Sequence, residues 1–285
     1  MSKSWVVITG ASRGLGAYLA NSFWNEGWNV ALVARDQATL LQVCKGLYPR
    51  PDQSAIIFQC DLARPAEVTL LVKKITDQLP RMDVLINNAA IHGPIGPLVE
   101  NNLMLWNKAI QVNLMAPVAL CHGLIDFISN SGGGSIINLS GGGATAPRSN
   151  FTAYASTKAA LVRFSETLSQ EVQLQQIRVN CISPGAMKTT LLEEVLASEK
   201  TVTGMREFEI AEKVFARGGA SMDKVADLAL FLASDASLGV TGKLVSAVWD
   251  NWQEWPKHLD QLSASDAYTL RRISGHDRGM EWGDV

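Results

Sequence analysis

The stretch VVITGASRGLG, residues 6–16, decides the fold of this chain. Its first three residues are apolar, and the segment that follows carries Gly10, Gly14 and Gly16. Glycine permits a tight turn and a close backbone approach, and the free N–H groups at the start of a helix attract an anion such as a pyrophosphate. A plain structural turn would also use glycine. The position between an N-terminal strand and a helix favours a dinucleotide-binding turn.

Short apolar segments alternate with segments of helical periodicity along the chain. The apolar segments read WVVITG, NVALVA, SAIIFQC, MDVLINN, GSIINLS and IRVNCISPG, and helical periodicity extends over 14–26, 64–79 and 154–175. Strands that are continuously apolar are buried on both faces, which requires helices above and below a parallel sheet. The sequence therefore predicts an α/β protein with a Rossmann-like, doubly wound parallel sheet in a three-layer α/β/α arrangement.

A single large domain accounts for most of the 285 residues, of which 47% are hydrophobic. The alternation continues through ADLALFLASDASLGVTGKLVSAV, residues 226–248, as a helix, a turn and a last strand. We therefore expect a dinucleotide-binding and catalytic domain over residues 1–250 and a C-terminal extension over 251–285. Because Trp252 and Trp255 contribute large apolar areas there, the extension is expected to pack on the domain, over the binding pocket or on a neighbouring subunit.

The charge balance excludes some classes of partner. The chain has 25 Lys and Arg against 27 Asp and Glu, a net charge of −2, so no global field attracts nucleic acid or an acidic membrane. The cysteines form no CxxC pair and three of them lie in or beside apolar runs, which argues against disulfides and against a metal site. The N-terminal apolar run ends long before the length of a signal peptide or membrane span. We expect a cytoplasmic protein with a small-molecule partner.

Several motifs, together with the glycine turn, resemble the short-chain dehydrogenase/reductase family over about residues 5–245. The family pattern TGxxxGxG appears at 9–16, and its NNAG appears as NNAA at 87–90. The other matching features are Asp61-Leu62 after the third strand, Asn113, the pair Tyr154-xxx-Lys158, and PGAMKT at 184–189. The resemblance implies a nicotinamide-dependent oxidoreductase that interconverts a carbonyl and an alcohol. It also implies a homotetramer or homodimer built on the helices near 102–128 and 152–175.

Cofactor contacts are expected from the glycine turn, from the ends of the strands and from the Tyr-xxx-Lys pair. The resemblance implies that Asp61 accepts a hydrogen bond from the adenine amino group and that Asn88 supports the nearby backbone and the cofactor. It also implies that Thr189 lies beside the nicotinamide. The full set is Gly10, Ser12, Arg13, Gly14, Leu15, Gly16, Arg35, Asp61, Leu62, Asn88, Tyr154, Lys158, Pro184, Gly185 and Thr189.

The end of the second strand indicates which cofactor is preferred. Family members that prefer NAD typically end this strand with an acidic residue on the ribose hydroxyls, whereas this chain has Ala34 followed by Arg35. Arg13 in the glycine turn is a second positive charge directed to the same region. Two guanidinium groups can clamp a 2′-phosphate, so NADP(H) is favoured over NAD(H). The alternative is that both arginines are merely solvated, with Asp36 paired to one of them.

Tyr154 and Lys158 are four residues apart and project from one face of a helix. A tyrosine can give a proton to the developing alkoxide if its pKa is brought down from about 10. Lys158 and the positive nicotinamide are expected to favour the ionised tyrosine, and Lys158 also to hold the nicotinamide ribose. By resemblance, Asn113 keeps a water molecule in the proton relay.

The serine that the family places beside this tyrosine is displaced. The family writes N-x-S-S at the end of the fifth strand, with the second serine catalytic, and this chain writes Asn138-Leu139-Ser140-Gly141. Ser140 therefore stands one residue early, and alternation along the strand could turn it away from the substrate. Ser140 remains the candidate for this role, with Thr145 and Ser149 as substitutes.

Three accounts of the displaced serine stay open. The glycines at 141–143 could let Ser140 rotate into the site, or the substrate could supply its own hydroxyl partner. The third account is a catalytically weak or inactive NADP-binding regulator or scaffold of the same fold. Loss of an oxyanion donor costs about 2.7–4 kcal/mol and slows an enzyme without abolishing it, which favours an active enzyme.

The substrate loops are expected at 91–97 and 141–151, with a helical lid over 186–215. These segments carry the polar or cationic residues His92, Arg148, Asn150 and Lys188. Their character favours a hydroxylated or anionic carbonyl compound such as a sugar derivative or a keto acid. Solvated surface residues explain the same pattern equally well.

Overall fold

Seven parallel strands form the centre of the protein in a computed structural model that describes residues 3–280 and 282. The strands are β1 (Trp5–Thr9), β2 (Asn29–Ala34), β3 (Ala55–Gln59), β4 (Val84–Asn87), β5 (Gly134–Leu139), β6 (Ile177–Ser183) and β7 (Leu244–Ser246). They lie in the order β3-β2-β1-β4-β5-β6-β7, and all neighbours are parallel. The predicted doubly wound parallel sheet is confirmed.

Helices cover both faces of the sheet. They are α1 (Gly14–Asn25), α2 (Gln37–Gly46), α3 (Pro65–Gln78), α4 (Leu103–Ile110), α5 (Ala116–Asn130), α6 (Thr152–Glu171), α7 (Thr190–Ala197), α8 (Lys200–Thr203), α9 (Met205–Arg217), α10 (Met222–Ala233) and α11 (Leu259–Ser263). Side chains alternate along β1, so Val6 and Ile8 join one core with α1, α2 and α10. Val7 joins the opposite core with α3, α5 and α6. Two apolar layers therefore hold the three-layer sandwich together.

The C-terminal extension packs on its own domain. Trp252 and Trp255 are buried in the core beside α10, with the Trp252 ring 5.0 Å from the ring of Phe231. The buried ammonium of Lys243 donates to three carbonyl oxygens of the extension, at residues 262, 265 and 267, over 2.8–3.0 Å. Trp249, just before the extension, is 86% exposed. The buried tryptophans therefore serve the domain core and do not line the main cavity.

One segment in the described part of the chain, Leu103–Asn130, is long and apolar enough to cross a membrane by length and composition. It comprises α4, a π-helical turn (Gln111–Met115) and α5. Its most apolar window has a mean hydropathy of 1.5, and 44% of that window is buried. Because α4 packs on α6 and α5 packs on α3, the segment has the contacts of a core helix, and core helices pass the same test.

Gly134, at the start of β5, is closely surrounded by its neighbours, so a substitution there measures how tightly the sheet is packed. A β-carbon there would overlap the carbonyl oxygen of Asp83 and lie 2.9 Å from Cγ2 of Ile128. We expect Gly134→Ala to lower the free energy of unfolding by about 1–3 kcal/mol because the backbone must shift. Gly46→Ala is the control, since nothing lies within 4 Å of its added methyl group. Urea denaturation of both variants measures the difference, and equal stabilities would contradict the packing.

Candidate active site

A cavity of about 740 Å³ extends along the carboxyl ends of the strands, from the glycine turn to α9. It lies where the strand order reverses between β1 and β4, which is where open α/β sheets bind ligands. Every residue that the sequence suggested as a cofactor contact lines this cavity, as does Ser140, whereas Asn113 does not. The cavity is therefore the candidate active site.

The glycine turn forms a cradle that larger residues would fill. Gly10 has a positive φ of 65°, and a β-carbon at Gly16 would overlap the carbonyl oxygen of Gly10. That β-carbon would also lie 2.6 Å from Nδ2 of Asn88. Helix α1 begins at Gly14 without a side-chain hydrogen bond at Arg13, its N-terminal flanking residue. Its first N–H groups therefore remain available to an anion, so the turn fits a pyrophosphate.

Thr9 and Asn88 fasten the turn to the next strand of the sheet. The Thr9 hydroxyl accepts hydrogen bonds from the backbone N–H groups of Asn88, at 3.0 Å, and Ala89, at 3.1 Å. The Asn88 amide donates to the carbonyl oxygens of Thr9, at 2.9 Å, and Gly10, at 3.3 Å. The sequence suggested Asn88 for this role but assigned none to Thr9, although Thr9 belongs to the quoted glycine motif.

Two exposed arginines stand at the end of the cavity beyond the glycine turn. Arg13 and Arg35 both line it, together with Ala34 and Asp36. The Asp36 carboxylate accepts hydrogen bonds from two N–H groups in the first turn of α2, at 2.8 and 3.1 Å, and so caps that helix. Within the described residues, Asp36 pairs with neither arginine. Both arginines therefore line the cavity without a carboxylate partner in the described part of the chain.

Tyr154 and Lys158 lie on the buried side of α6. Lys158 is 1% exposed, and its Nζ donates to the carbonyl oxygen of Leu139 at 2.6 Å. Burial lowers the pKa of Lys158 to about 8. Burial also raises the pKa of Tyr154, and the nearby cation that opposes this rise is Arg148. The expectation that Lys158 and a positive nicotinamide together favour the ionised tyrosine concerns the oxidised cofactor complex and stays a prediction.

Ser140 lines the cavity, but the residue is only 4% exposed. Its hydroxyl oxygen is buried and has no hydrogen-bond partner among the described residues. A β-carbon at Gly141 would overlap the hydroxyl oxygen of Tyr154, so that oxygen already occupies the start of a side chain at position 141. Thr145 and Ser149 are exposed and do not line the cavity. Among the described residues, no hydrogen bond therefore joins any of the three hydroxyl candidates to Tyr154, and the catalytic role of Ser140 stays a prediction.

Asn113 is fully buried in the π-helical turn between α4 and α5. Its side-chain oxygen accepts from the N–H of Ile91 at 2.9 Å, and its amide nitrogen donates to the Ile91 carbonyl at 2.8 Å. The same nitrogen donates to the Thr157 hydroxyl at 3.1 Å. Asn113 therefore positions the loop after β4 against α6, and its part in a proton relay stays a prediction.

Two carboxylates from α7 and α9, the helices of the expected lid, contact the substrate loops. His92 Nδ1 is 3.2 Å from Oε2 of Glu194 on α7, and Arg148 Nε donates to Oε2 of Glu207 on α9 at 2.9 Å. The His92 ring also packs edge-on to the Tyr154 ring at 4.9 Å between centroids. The sequence indicated His92 and Arg148 but neither glutamate, because partners separated by 102 and 59 residues leave no local pattern.

Comparison with known proteins agrees with this geometry. A family model described as short chain dehydrogenase matches residues 4–200. The chain is 30% identical over 242 residues to short chain dehydrogenase/reductase astE of Aspergillus oryzae, a match that covers 84% of this chain and 91% of that protein. It is 31% identical over 236 residues to L-fucose dehydrogenase of Oryctolagus cuniculus, covering 81% of this chain and 79% of that protein.

A solved structure gives the same result for the fold. A short chain dehydrogenase from Shigella flexneri, complexed with NADP, superposes with a TM-score of 0.74 at 26% identity. The match covers 87% of this chain and 98% of that chain. With a family model over more than half of its length and with these relatives, the chain belongs to the short-chain dehydrogenase family and is an NAD(P)-dependent oxidoreductase.

Proposed function

We propose that the protein interconverts a hydroxylated carbonyl compound and its alcohol with NADP(H) as the preferred cofactor. The observation that carries the proposal is the continuity of one cavity from Arg13 and Arg35 to Tyr154. A dinucleotide laid along it would have its 2′-phosphate between two unpaired cations and its nicotinamide beside a buried tyrosine. The relative solved with NADP supports the same preference.

In this proposal Tyr154 transfers the proton and Lys158 positions the cofactor. The chemistry that a bound nicotinamide would supply is acceptance of a hydride from the alcohol carbon or its donation to the carbonyl carbon. Tyr154 takes the hydroxyl proton on its phenolate oxygen during oxidation and returns it to the developing alkoxide during reduction. Lys158 is held by the Leu139 carbonyl at the base of the site, where it can turn to the nicotinamide ribose. Every hydride and proton that leaves the alcohol therefore has a named acceptor.

A neutral, polyhydroxylated substrate such as a sugar fits the site better than a keto acid. Arg148 is paired with Glu207, and His92 Nδ1 lies 3.2 Å from Oε2 of Glu194, so the negative charge of a lid glutamate opposes a substrate carboxylate at both places. Carboxylate oxygens accept hydrogen bonds from hydroxyl groups, and both glutamates line the cavity. The relative named L-fucose dehydrogenase supports a sugar substrate.

A reducing, cytoplasmic location is part of the proposal. The four cysteines are free thiols, and three of them are buried. Burial raises the pKa of Cys60, Cys121 and Cys181 to about 12, which keeps these thiols protonated and unreactive at neutral pH.

We also propose a homodimer or homotetramer that forms through α4. Leu103, Met104 and Leu105 on this helix are 70%, 82% and 49% exposed, which is unusual for three consecutive apolar side chains. We expect Met104→Glu to shift the assembly toward monomers, as measured by light scattering after size exclusion. Tyr48→Glu changes an equally accessible side chain, 75% exposed, in the segment after α2 and should leave the mass unchanged. A monomeric wild-type protein would contradict this proposal.

Cofactor preference follows from the two arginines. We expect Arg35→Ala to lower kcat/KM for NADPH by about 10- to 100-fold, the equivalent of one or two charge-assisted hydrogen bonds, with little change for NADH. Lys45→Ala removes an exposed cation from the last turn of α2 and should leave both values unchanged. Steady-state kinetics with each cofactor makes the measurement. A wild-type protein that prefers NADH would overturn the assignment of Arg13 and Arg35.

Tyr154→Phe and Ser140→Ala separate the proton donor from the displaced serine. With L-fucose, other sugars, polyols, simple ketones and keto acids as a panel, we expect Tyr154→Phe to abolish turnover because no other group carries the proton. Ser140→Ala should stay within a few-fold of wild type because its hydroxyl oxygen is buried and has no hydrogen-bond partner among the described residues. A loss of about 100-fold or more in Ser140→Ala would restore the serine as an oxyanion donor. NADPH binding without turnover of any compound would favour the regulator or scaffold alternative.

A further inference from the structure

Arg148 lies beside the glycine segment that stands where the family places its serine. Nη1 of Arg148 would be 4.0 Å from a β-carbon built on Gly142, and the Tyr154 hydroxyl meets the adjoining Gly141. The centre of the guanidinium lies 5.6 Å from the centroid of the Tyr154 ring. The Arg148 guanidinium therefore lies beside Gly142, and the Tyr154 hydroxyl lies beside the adjoining Gly141.

Two contacts hold the guanidinium in this place. Its Nε donates to Oε2 of Glu207 at 2.9 Å, and its central carbon lies 3.8 Å above the centroid of the Phe151 ring. The Arg148 and Glu207 side chains are only 17% and 22% exposed. Within the described residues, Glu207 is the hydrogen-bond partner of Arg148, so the terminal nitrogens are free to act on an oxygen in the cavity.

Lys158, the other cation near the Tyr154 ring, is less suited to this role than an arginine. The pKa of Lys158 is lowered to about 8 by burial, so this lysine loses its proton below the ordinary pKa of a tyrosine. An arginine stays protonated at any pH that the fold tolerates. The two cations lie at similar distances, 5.6 and 5.7 Å, from the Tyr154 ring centroid, so the arginine is the better suited of the two to a tyrosine that must ionise.

We propose that the guanidinium of Arg148 replaces the missing serine by stabilising negative charge on the Tyr154 oxygen and on the adjoining substrate oxygen, with Glu207 setting its position and strength. The proposal rests on the proposed function, in which Tyr154 carries the proton. It assigns Arg148 to the reacting oxygens and makes Glu207 a positioning residue. Because Glu207 lies on α9, this helix of the expected lid then affects proton transfer as well as enclosing the substrate.

The groups that face Tyr154 come from four parts of the fold. They are Lys158 on α6 itself, His92 after β4, Arg148 after β5, and the lid carboxylates Glu194 and Glu207 behind His92 and Arg148. Charges at such partly buried positions are weakly screened, so each should move the ionisation of Tyr154 in the direction of its sign.

Ultraviolet titration of tyrosinate tests the proposal without any substrate. The difference between each variant and the same variant carrying Tyr154→Phe isolates the Tyr154 transition, and far-ultraviolet circular dichroism checks the fold across the titration. We expect Arg148→Met to move the midpoint to higher pH because a cation is lost. Glu207→Gln should move it to lower pH because the hydrogen bond to Nε can remain while the opposing negative charge disappears. A purely structural role would not give shifts of opposite sign.

Two further variants complete the experiment. Arg206→Met removes an exposed cation from the same lid helix and should leave the midpoint at the wild-type value. Arg148→Lys keeps the positive charge but loses the planar guanidinium, so its Tyr154 midpoint should lie between those of wild type and Arg148→Met. This variant also provides a test if Arg148→Met fails to fold. A midpoint in Arg148→Met or Arg148→Lys that equals that of Arg206→Met would overturn the proposal.

Kinetics on the panel compound with the highest turnover supplies the second readout. We expect Arg148→Met to lower kcat/KM by about 100-fold or more, as for loss of an oxyanion donor, with a smaller loss in Arg148→Lys. Wild-type kinetics in Arg148→Met, with Tyr154→Phe inactive, would remove Arg148 from the mechanism and leave the proposed function intact. Activity retained in Tyr154→Phe would instead remove the proposed function, whatever the titration gives.

Discussion

The backbone of the first helix touches the backbone of the first strand's turn, and the site is arranged around this contact. Gly16 lies so close to the carbonyl oxygen of Gly10 that no β-carbon fits between them, and Asn88 donates to that same oxygen. Because Asn88 follows β4, the contact joins the two strands at which the sheet reverses its order. A looser junction would separate the anion-binding helix start from the strand ends that carry the chemistry.

Burial acts in opposite directions on the two groups at the chemical end of the cavity. It disfavours the charged form of each, so the pKa of Tyr154 rises while the pKa of Lys158 falls to about 8. A buried tyrosine that must ionise during turnover therefore depends on fixed positive charge nearby. Arginine suits this place better than lysine, because desolvation does not remove its charge at working pH.

Local pattern predicted the strands, the glycine turn and the Tyr-xxx-Lys face, because each depends on residues only a few positions apart. The end of α6 was predicted at 175, but the helix ends at Glu171, where a 3-10 turn and the left-handed Gln176 (φ 57°) follow. The burial of the Ser140 hydroxyl depends on how the strand end packs, and the lid carboxylates Glu194 and Glu207 pair with distant residues. Tertiary packing decides such features, and sequence spacing carries no record of them.

The three consecutive glycines after β5 are better explained by close packing than by flexibility. Gly141 leaves space for the Tyr154 oxygen, and Gly143, with a φ of 95°, lies where a β-carbon would be 2.6 Å from that of Ala155. Gly142 leaves room beside the Arg148 side chain. The loop therefore folds back against α6 closely at Gly141 and Gly143, whereas Gly142 has room for a side chain. A β-carbon at 141 would require the Tyr154 hydroxyl to shift. The glycine at the family's serine position and the approach of Arg148 to the tyrosine therefore belong to one loop conformation.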